Sequence, residues 1–144
     1  MKVYVIYTDG SCDPNPGVGG FGAVIEDEAG AVLEVSGRLH DTTNNRMELL
    51  AALKALEACD AGSKVHVITD SRYLEQGATV WYRAWVAKGW RKVVNPDMWQ
   101  ALLAEHGRHH DVTYEWVKGH EGHPGNEQAH QLAEQARLYT RSSA

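Results

Sequence analysis

Residues 2 to 9 alternate along the chain, placing Val3, Val5, Tyr7 and Asp9 on one face of a strand, and the same period returns over residues 20 to 27 and 31 to 38. From Asn44 to Ala58 the period becomes helical, with Leu49, Leu53 and Leu56 on one stripe and the small residues Ala51, Ala52 and Ala55 allowing close approach to a sheet. Lys64 to Asp70 then reads as a strand again. No other feature constrains the fold as much as this order. Three hairpin-linked strands run antiparallel, and a helix between two strands is the crossover that makes the flanking pair parallel.

Turn residues punctuate these runs. Asp13-Pro14-Asn15-Pro16-Gly17, with Gly19, Gly20 and Gly22, predicts a loop, and Glu28-Ala29-Gly30 a hairpin turn. Thr43 or Asn44 is expected to cap the crossover helix. Beyond it, residues 71 to 90 read as a polar and aromatic helical region, and Asn95-Pro96-Asp97 opens a further helix with proline at its first position. A strand is predicted over Val112 to Val117, a loop over Lys118 to Asn126, and a last helix from about Glu127 to Tyr139, with a frayed tail over 140 to 144. A single domain over 1–144 is expected, without repeats or low-complexity stretches.

With 43% hydrophobic and 23% charged residues, the 144-residue chain is neither disordered nor fibrous. No apolar segment of signal-peptide length opens it and no uncharged run is long enough to span a bilayer, so a cytoplasmic protein without membrane contact, and a monomer, is expected. Cys12 and Cys59 lack Cys-x-x-Cys spacing and are expected to be free thiols. A formal charge of −5 argues against broad attraction to polyanions. Local charge points the other way: no acidic residue lies between Glu75 and Asp97, where Arg83, Lys88, Arg91 and Lys92 accompany Trp81, Tyr82, Trp85 and Trp90.

The chemistry-bearing residues are carboxylates. Asp9 and Asp70 close two strands expected to be parallel neighbours, so both fall at the carboxyl edge where open α/β sheets bind ligands. Glu48, in the first turns of the crossover helix, leans toward the same edge. Like charges packed together destabilise the fold unless a cation neutralises them, and an all-oxygen set suits Mg²⁺ or Mn²⁺. Taken singly, each is as well read as a strand-end or solvated carboxylate. His120 and His123 sit on the loop after the last strand, where an imidazole beside a metal site shuttles protons, although a surface histidine is the simpler reading of each. From the residues alone the reading stops at a metal-dependent hydrolase.

Four blocks, Tyr7-Thr8-Asp9-Gly10-Ser11, Thr42-Thr43-Asn44-Asn45-Arg46-Met47-Glu48-Leu49, Thr69-Asp70-Ser71 and Trp116-Val117-Lys118-Gly119-His120, closely resemble bacterial type 1 ribonuclease H in order and spacing. The resemblance covers residues 2 to 139. It implies an α/β, ribonuclease H-like fold: a five-stranded mixed sheet, three antiparallel strands then two parallel ones, flanked by helices. It further implies endonucleolytic, sequence-tolerant hydrolysis of the RNA strand of RNA/DNA hybrids, leaving 5′-phosphate and 3′-hydroxyl ends. Asp9, Glu48 and Asp70 would hold two Mg²⁺ ions, with Mn²⁺ as substitute, and His120 matches the family's mobile histidine. By the same mapping Asn15, Asn44 and Asn45 approach the hybrid's minor groove, where 2′-hydroxyls distinguish RNA, and Gly10, Cys12 and Thr43 are further expected substrate contacts. Trp81, Trp85, Lys88 and Trp90 correspond to the family's basic protrusion, here compact, which grips the DNA strand. Arg72 stands where related sequences often have glutamine.

One block departs. The family's Asn-Glu-x-x-Asp ends in a fourth carboxylate, whereas Asn126-Glu127-Gln128-Ala129-His130 ends in histidine. Loss of a negative charge weakens a Mg²⁺ site, and His130 is expected to ligate or orient water at the second metal with increased Mn²⁺ preference. An engineered change, a histidine packed at the helix start and a knock-out are the other readings of His130. The knock-out corresponds to a second function, a noncatalytic hybrid-binding module. A third, from the wider fold family, is a DNA-directed integrase or junction resolvase, against which the hybrid-reading asparagines stand.

Overall fold

The computed structural model of the protein describes residues 1–119 and 123–139. The predicted hairpins are present and longer than their alternation suggests: β1 (Val3–Cys12), β2 (Gly17–Asp27) and β3 (Val32–Thr42) are antiparallel neighbours. The crossover helix α1 (Asn44–Ala58) leads to β4 (Lys64–Thr69), parallel to β1. Next come α2 (Arg72–Gln76), a π-helical turn (Gly77–Trp81) and α3 (Tyr82–Ala87). Then α4 (Pro96–Arg108), β5 (Asp111–Trp116), parallel to β4, and α5 (Pro124–Leu138) complete the chain. The sheet order is β3-β2-β1-β4-β5, the expected mixed sheet of three antiparallel and two parallel strands flanked by helices.

Local chemistry explains the boundaries. Thr43 caps α1, its side chain accepting from the Arg46 N–H at 3.2 Å. The orphan carbonyls at the other end of α1 are met from α4: an Arg108 Nη2 donates to Leu56 O at 2.7 Å and to Cys59 O at 2.9 Å. The single apolar stripe expected for α1 is too narrow. Met47 through Ala52, Leu53, Ala55 and Leu56 are all buried, because one side of the helix rests on the sheet and the other on α4.

Among the helices, two boundaries differ from expectation. The last helix starts at Pro124, where the expected loop gives way early because proline suits the first turn of a helix. The aromatic helical region is broken by the π turn and ends at Ala87. Trp90, Lys92 and Asn95 adopt left-handed φ of 66°, 60° and 57°, which breaks the helix before α4. Cys12 closes β1, and both cysteines are free thiols as expected.

Helices cover both faces of the sheet. Strand alternation points Ile6 and Thr8 toward α1, while Tyr7, Asp9 and Ser11 face α5. Close packing of α5 on β2 depends on missing side chains: a Cβ on Gly22 would lie 2.5 Å from the Ala129 carbonyl. The core groups Ile6, Phe21, Ile25, Met47, Leu49, Leu56, Val67, Leu74, Trp99 and Leu102, and Trp85 is partly buried against it. Among the described residues no helix is long and apolar enough to cross a membrane.

Candidate active site

The site lies on a step in the sheet. The β1/β4 ladder ends at the pair Thr8↔Thr69, and β5 stops level with it at Trp116, while β1 runs on along β2 to Cys12. Asp9 is therefore the first β1 residue without a β4 partner, not the end of its strand as expected. Asp70 is the first residue beyond β4. Its backbone is pinned there: the Trp116 indole N–H donates to Asp70 O at 2.9 Å, and the Ser71 N–H donates to Thr69 Oγ1 at 3.0 Å just before Ser71 caps α2.

Glu48 arrives from α1. Gly10 leaves room for it, since a Cβ there would lie 2.7 Å from the Glu48 backbone nitrogen. One carboxylate oxygen from each of Asp9, Glu48 and Asp70 lies within 4.8 Å of the others. Asp9 and Glu48 are only 6% and 5% exposed. Burial, followed by the Asp70 charge, pushes the Asp9 carboxyl up to about 6, and burial with the charges of Asp9 and Asp70 holds Glu48 well above the usual carboxylate range. Glu48 Oε2 is buried without a hydrogen-bond partner among the described residues. Repulsion, desolvation and an orphaned carboxyl oxygen are all relieved by one change, the arrival of a divalent cation. The donor set is of hard oxygens, so the residues fit Mg²⁺ or Mn²⁺.

His130 joins this group. It projects from α5 toward β1, and its Nδ1 lies 2.7 Å from Asp9 Oδ2. The packed-histidine reading is thus too passive, because the ring is half-exposed and contacts a cluster carboxylate directly. Lys118, His123, Asn126 and Glu127 line the same cleft as Asp9, Asp70 and His130. Sequence reasoning did not assign Lys118, Asn126 or Glu127 to the site. The spacing of Asn126 and His130, one helical turn apart, was the available signal. Gly119 packs on Asp70, with a hypothetical Cβ 2.9 Å from Oδ2. His120 lies outside the described residues.

The expected substrate residues fall into two groups. Asn15 Oδ1 accepts from the Asn44 N–H at 3.1 Å, joining the loop before β2 to the start of α1 beside exposed Asn45. Cys12 Sγ sits 3.5 Å from Thr42 O in the same region, and the Thr43 hydroxyl is engaged as the α1 cap. Arg46, which the motif reading left without a role, forms a fork onto Asp97 at 2.9 and 3.2 Å and ties α1 to α4. The second group is aromatic. Trp81, Trp85 and Trp90 form a chain with centroid separations of 6.2 and 6.3 Å, and Lys88 is exposed beside it. Arg72 stands apart from both, stacked 3.8 Å over the Trp116 ring whose N–H pins Asp70.

The family model for RNase H matches residues 1–137. The Ribonuclease H of Hahella chejuensis (strain KCTC 2396) is 50% identical over 141 residues, covering 92% of each chain. Among solved structures, LC9-RNase H1, a type 1 RNase H with the type 2 active-site motif, superposes with a TM-score of 0.84 at 30% identity over 95% of this chain and 72% of its own. LC11-RNase H1, solved in complex with an RNA/DNA hybrid, superposes with a TM-score of 0.69 at 26% identity, covering 93% and 96%. Sheet order, the carboxylates at the strand step and these similarities agree, and the chain belongs to the ribonuclease H family.

Proposed function

We propose that this chain is an endonuclease that hydrolyses the RNA strand of RNA/DNA hybrids with little dependence on base sequence, leaving 5′-phosphate and 3′-hydroxyl ends. The observation that carries the reading is the convergence of the Asp9, Glu48 and Asp70 oxygens within 4.8 Å in a ribonuclease H chain. Asp9, Glu48 and Asp70, with His130, would hold two Mg²⁺ ions or Mn²⁺, which when bound supply an activated water and stabilise the leaving 3′ oxygen. Similarity to LC11-RNase H1, which binds a hybrid, supports that substrate class.

The chain's own groups divide the remaining work. Asp70, pinned through its backbone carbonyl, holds a carboxylate still at the rim of the cleft. His130 directs an imidazole nitrogen at Asp9 and favours Mn²⁺ relative to a four-carboxylate site. His120 is proposed to carry protons to and from the reacting phosphate. Asn15, Asn44 and Asn45, with Gly10, Cys12 and Thr43, form a polar edge suited to 2′-hydroxyls of the minor groove. Trp81, Trp85, Lys88 and Trp90 offer ring faces and charge to the DNA strand, and Arg72 a guanidinium to a phosphate near Asp70. The protein is proposed to act as a monomeric single domain of the cytoplasm.

The test is cleavage of an end-labelled RNA/DNA hybrid beside matching double-stranded RNA and double-stranded DNA, in Mg²⁺ or Mn²⁺, with Asp70→Asn as control. Cleavage confined to the RNA strand of the hybrid and abolished in the control is expected. Binding without cleavage in either metal would replace hydrolysis by a noncatalytic hybrid-binding role, and cleavage of the DNA duplex would move the chain to the integrase-like reading.

A further inference from the structure

An aspartate can meet a cation with either of two equivalent oxygens, whereas an imidazole has two unlike nitrogens. A histidine that directs one nitrogen at a metal site needs the other held by an acceptor, which sets both the tautomer and the ring plane. The replacement of the family's carboxylate by His130 therefore raises a question that an aspartate would not: what holds Nε2. Nδ1 is the nitrogen on the Asp9 side, and without a cation it carries the ring proton that it donates to Asp9 Oδ2 at 2.7 Å. On the other side, one helical turn along α5, Glu134 Oε1 stands 3.9 Å from Nε2. That separation exceeds a direct hydrogen bond and suits one bridging water or a small torsion of the glutamate.

Glu134 is itself held. The Ser11 hydroxyl donates to Glu134 Oε1 at 3.3 Å, Arg137 Nη2 donates to Oε2 at 3.3 Å, and Arg137 Nε donates to Ser11 Oγ at 2.8 Å, closing a ring of three side chains. An i, i+3 pair such as Glu134 with Arg137 is ordinarily a weak surface contact. Here the Arg137 side chain is only 14% exposed and Ser11 only 9%, and Ser11 lies two residues from Asp9 on the same face of β1. Arg137 also reaches toward Asp13 at 4.0 Å, at the start of the Asn15 loop. The frame that fixes Glu134 is thus built on the strand that carries Asp9.

We infer that Glu134 is a positioning residue for His130: in the cation-loaded site its carboxylate, braced by Ser11 and Arg137, holds the ring proton on Nε2 and leaves Nδ1, released from its hydrogen bond to Asp9, as the nitrogen that faces the carboxylate cluster. This rests on the reading of Asp9, Glu48, Asp70 and His130 as a divalent-cation site. Outer partners of ligating histidines set metal affinity by about ten- to a hundredfold, and Glu134→Gln is expected to weaken the cation to that degree.

The experiment uses the full chain, Glu134→Gln, His130→Ala and the double variant. Mn²⁺ affinity is measured by calorimetry, and the His130 ring nitrogens are observed by NMR in the Mg²⁺-saturated protein. Expected are a ring proton on Nε2 in the parent, a mixed tautomer in Glu134→Gln, and a fall in Mn²⁺ affinity of about tenfold or more in that variant. In the His130→Ala background the second substitution is expected to change affinity less than twofold. An equal loss in both backgrounds would make Glu134 a simple source of negative charge and overturn the inference, as would a parent tautomer protonated on Nδ1. A parent that binds neither cation overturns the metal reading itself, and the inference with it. Unfolding temperature is followed in every variant, and Glu134→Gln retains the size and an acceptor oxygen, so lost affinity is read on a folded protein.

Discussion

Replacing Asp70 by Asn should make the protein more stable when no divalent cation is present and less stable when one is. The Asp9 carboxyl is raised from the ordinary 3.8 to about 6, mainly by burial and next by the Asp70 charge. A shift of about 2 units corresponds to roughly 3 kcal/mol of destabilisation of the charged form at neutral pH. Burial accounts for the larger share, so removing the Asp70 charge should return on the order of 1 kcal/mol, with a further contribution from Glu48, which the same charge raises. The direction in pH follows. Between 3.8 and about 6 the folded state binds more protons than the unfolded chain, so apo stability declines as pH rises through that window and stays reduced above it. At pH 7.5 in chelator, Asp70→Asn should therefore unfold a few degrees higher than the parent. With cation at about a hundred times its dissociation constant the parent gains roughly 2.7 kcal/mol, most of which the variant forgoes, and the order of melting temperatures inverts. Circular dichroism melts in chelator and in Mg²⁺ read both arms. An Asp70→Asn protein that melts below the parent in chelator would refute the argument that these carboxylates repel one another in the folded state.

Three further outcomes are expected. Burial lowers the His106 imidazole from 6.5 to about 4, and neutral Nε2 lies 2.6 Å from the Tyr114 hydroxyl, which donates to it. Below pH 6.5 the unfolded chain takes up the proton first, so stability is lost as pH falls from 6.5 toward 4. Urea titrations should show that slope flattened in His106→Phe, and an unchanged slope would assign the acid sensitivity elsewhere. Gly22→Val should cost about 1–3 kcal/mol by pushing α5 off β2, and a neutral effect in thermal melts would mean that the helix shifts freely. His130→Asp restores a carboxylate beside Asp9 and should raise Mg²⁺ affinity relative to Mn²⁺, measured by calorimetry, and equal metal affinities before and after would show that the imidazole takes no part in the site.

The local elements were legible because they depend on short-range physics. The period-two runs and their glycine and proline punctuation located β1, β2 and β3 to within a few residues, and Thr43 marked the start of α1. Pro124 was hidden inside a stretch rich in glycine and histidine, whose composition predicts a loop even though proline there opens α5. The π turn at Gly77–Trp81 had no signature in spacing either. A Cβ on Gly77 would run into the Trp99 ring, so the backbone there follows a residue 22 positions away.

Sequence by itself determined the order of elements, the parallel pairing across the crossover, the family and the three carboxylates, because strand period, connection type and motif spacing are properties of the chain read in one dimension. Tertiary structure decided where those carboxylates meet. Asp9 is exposed to Asp70 and Glu48 because β4 stops at Thr69 while β1 continues along β2. That step follows from register between strands about sixty residues apart, so no local pattern announces it. The same holds for His130, whose ring reaches Asp9 across 121 residues of sequence. It does so because Gly20 and Gly22 let α5 settle on the sheet at a distance that only two missing side chains permit.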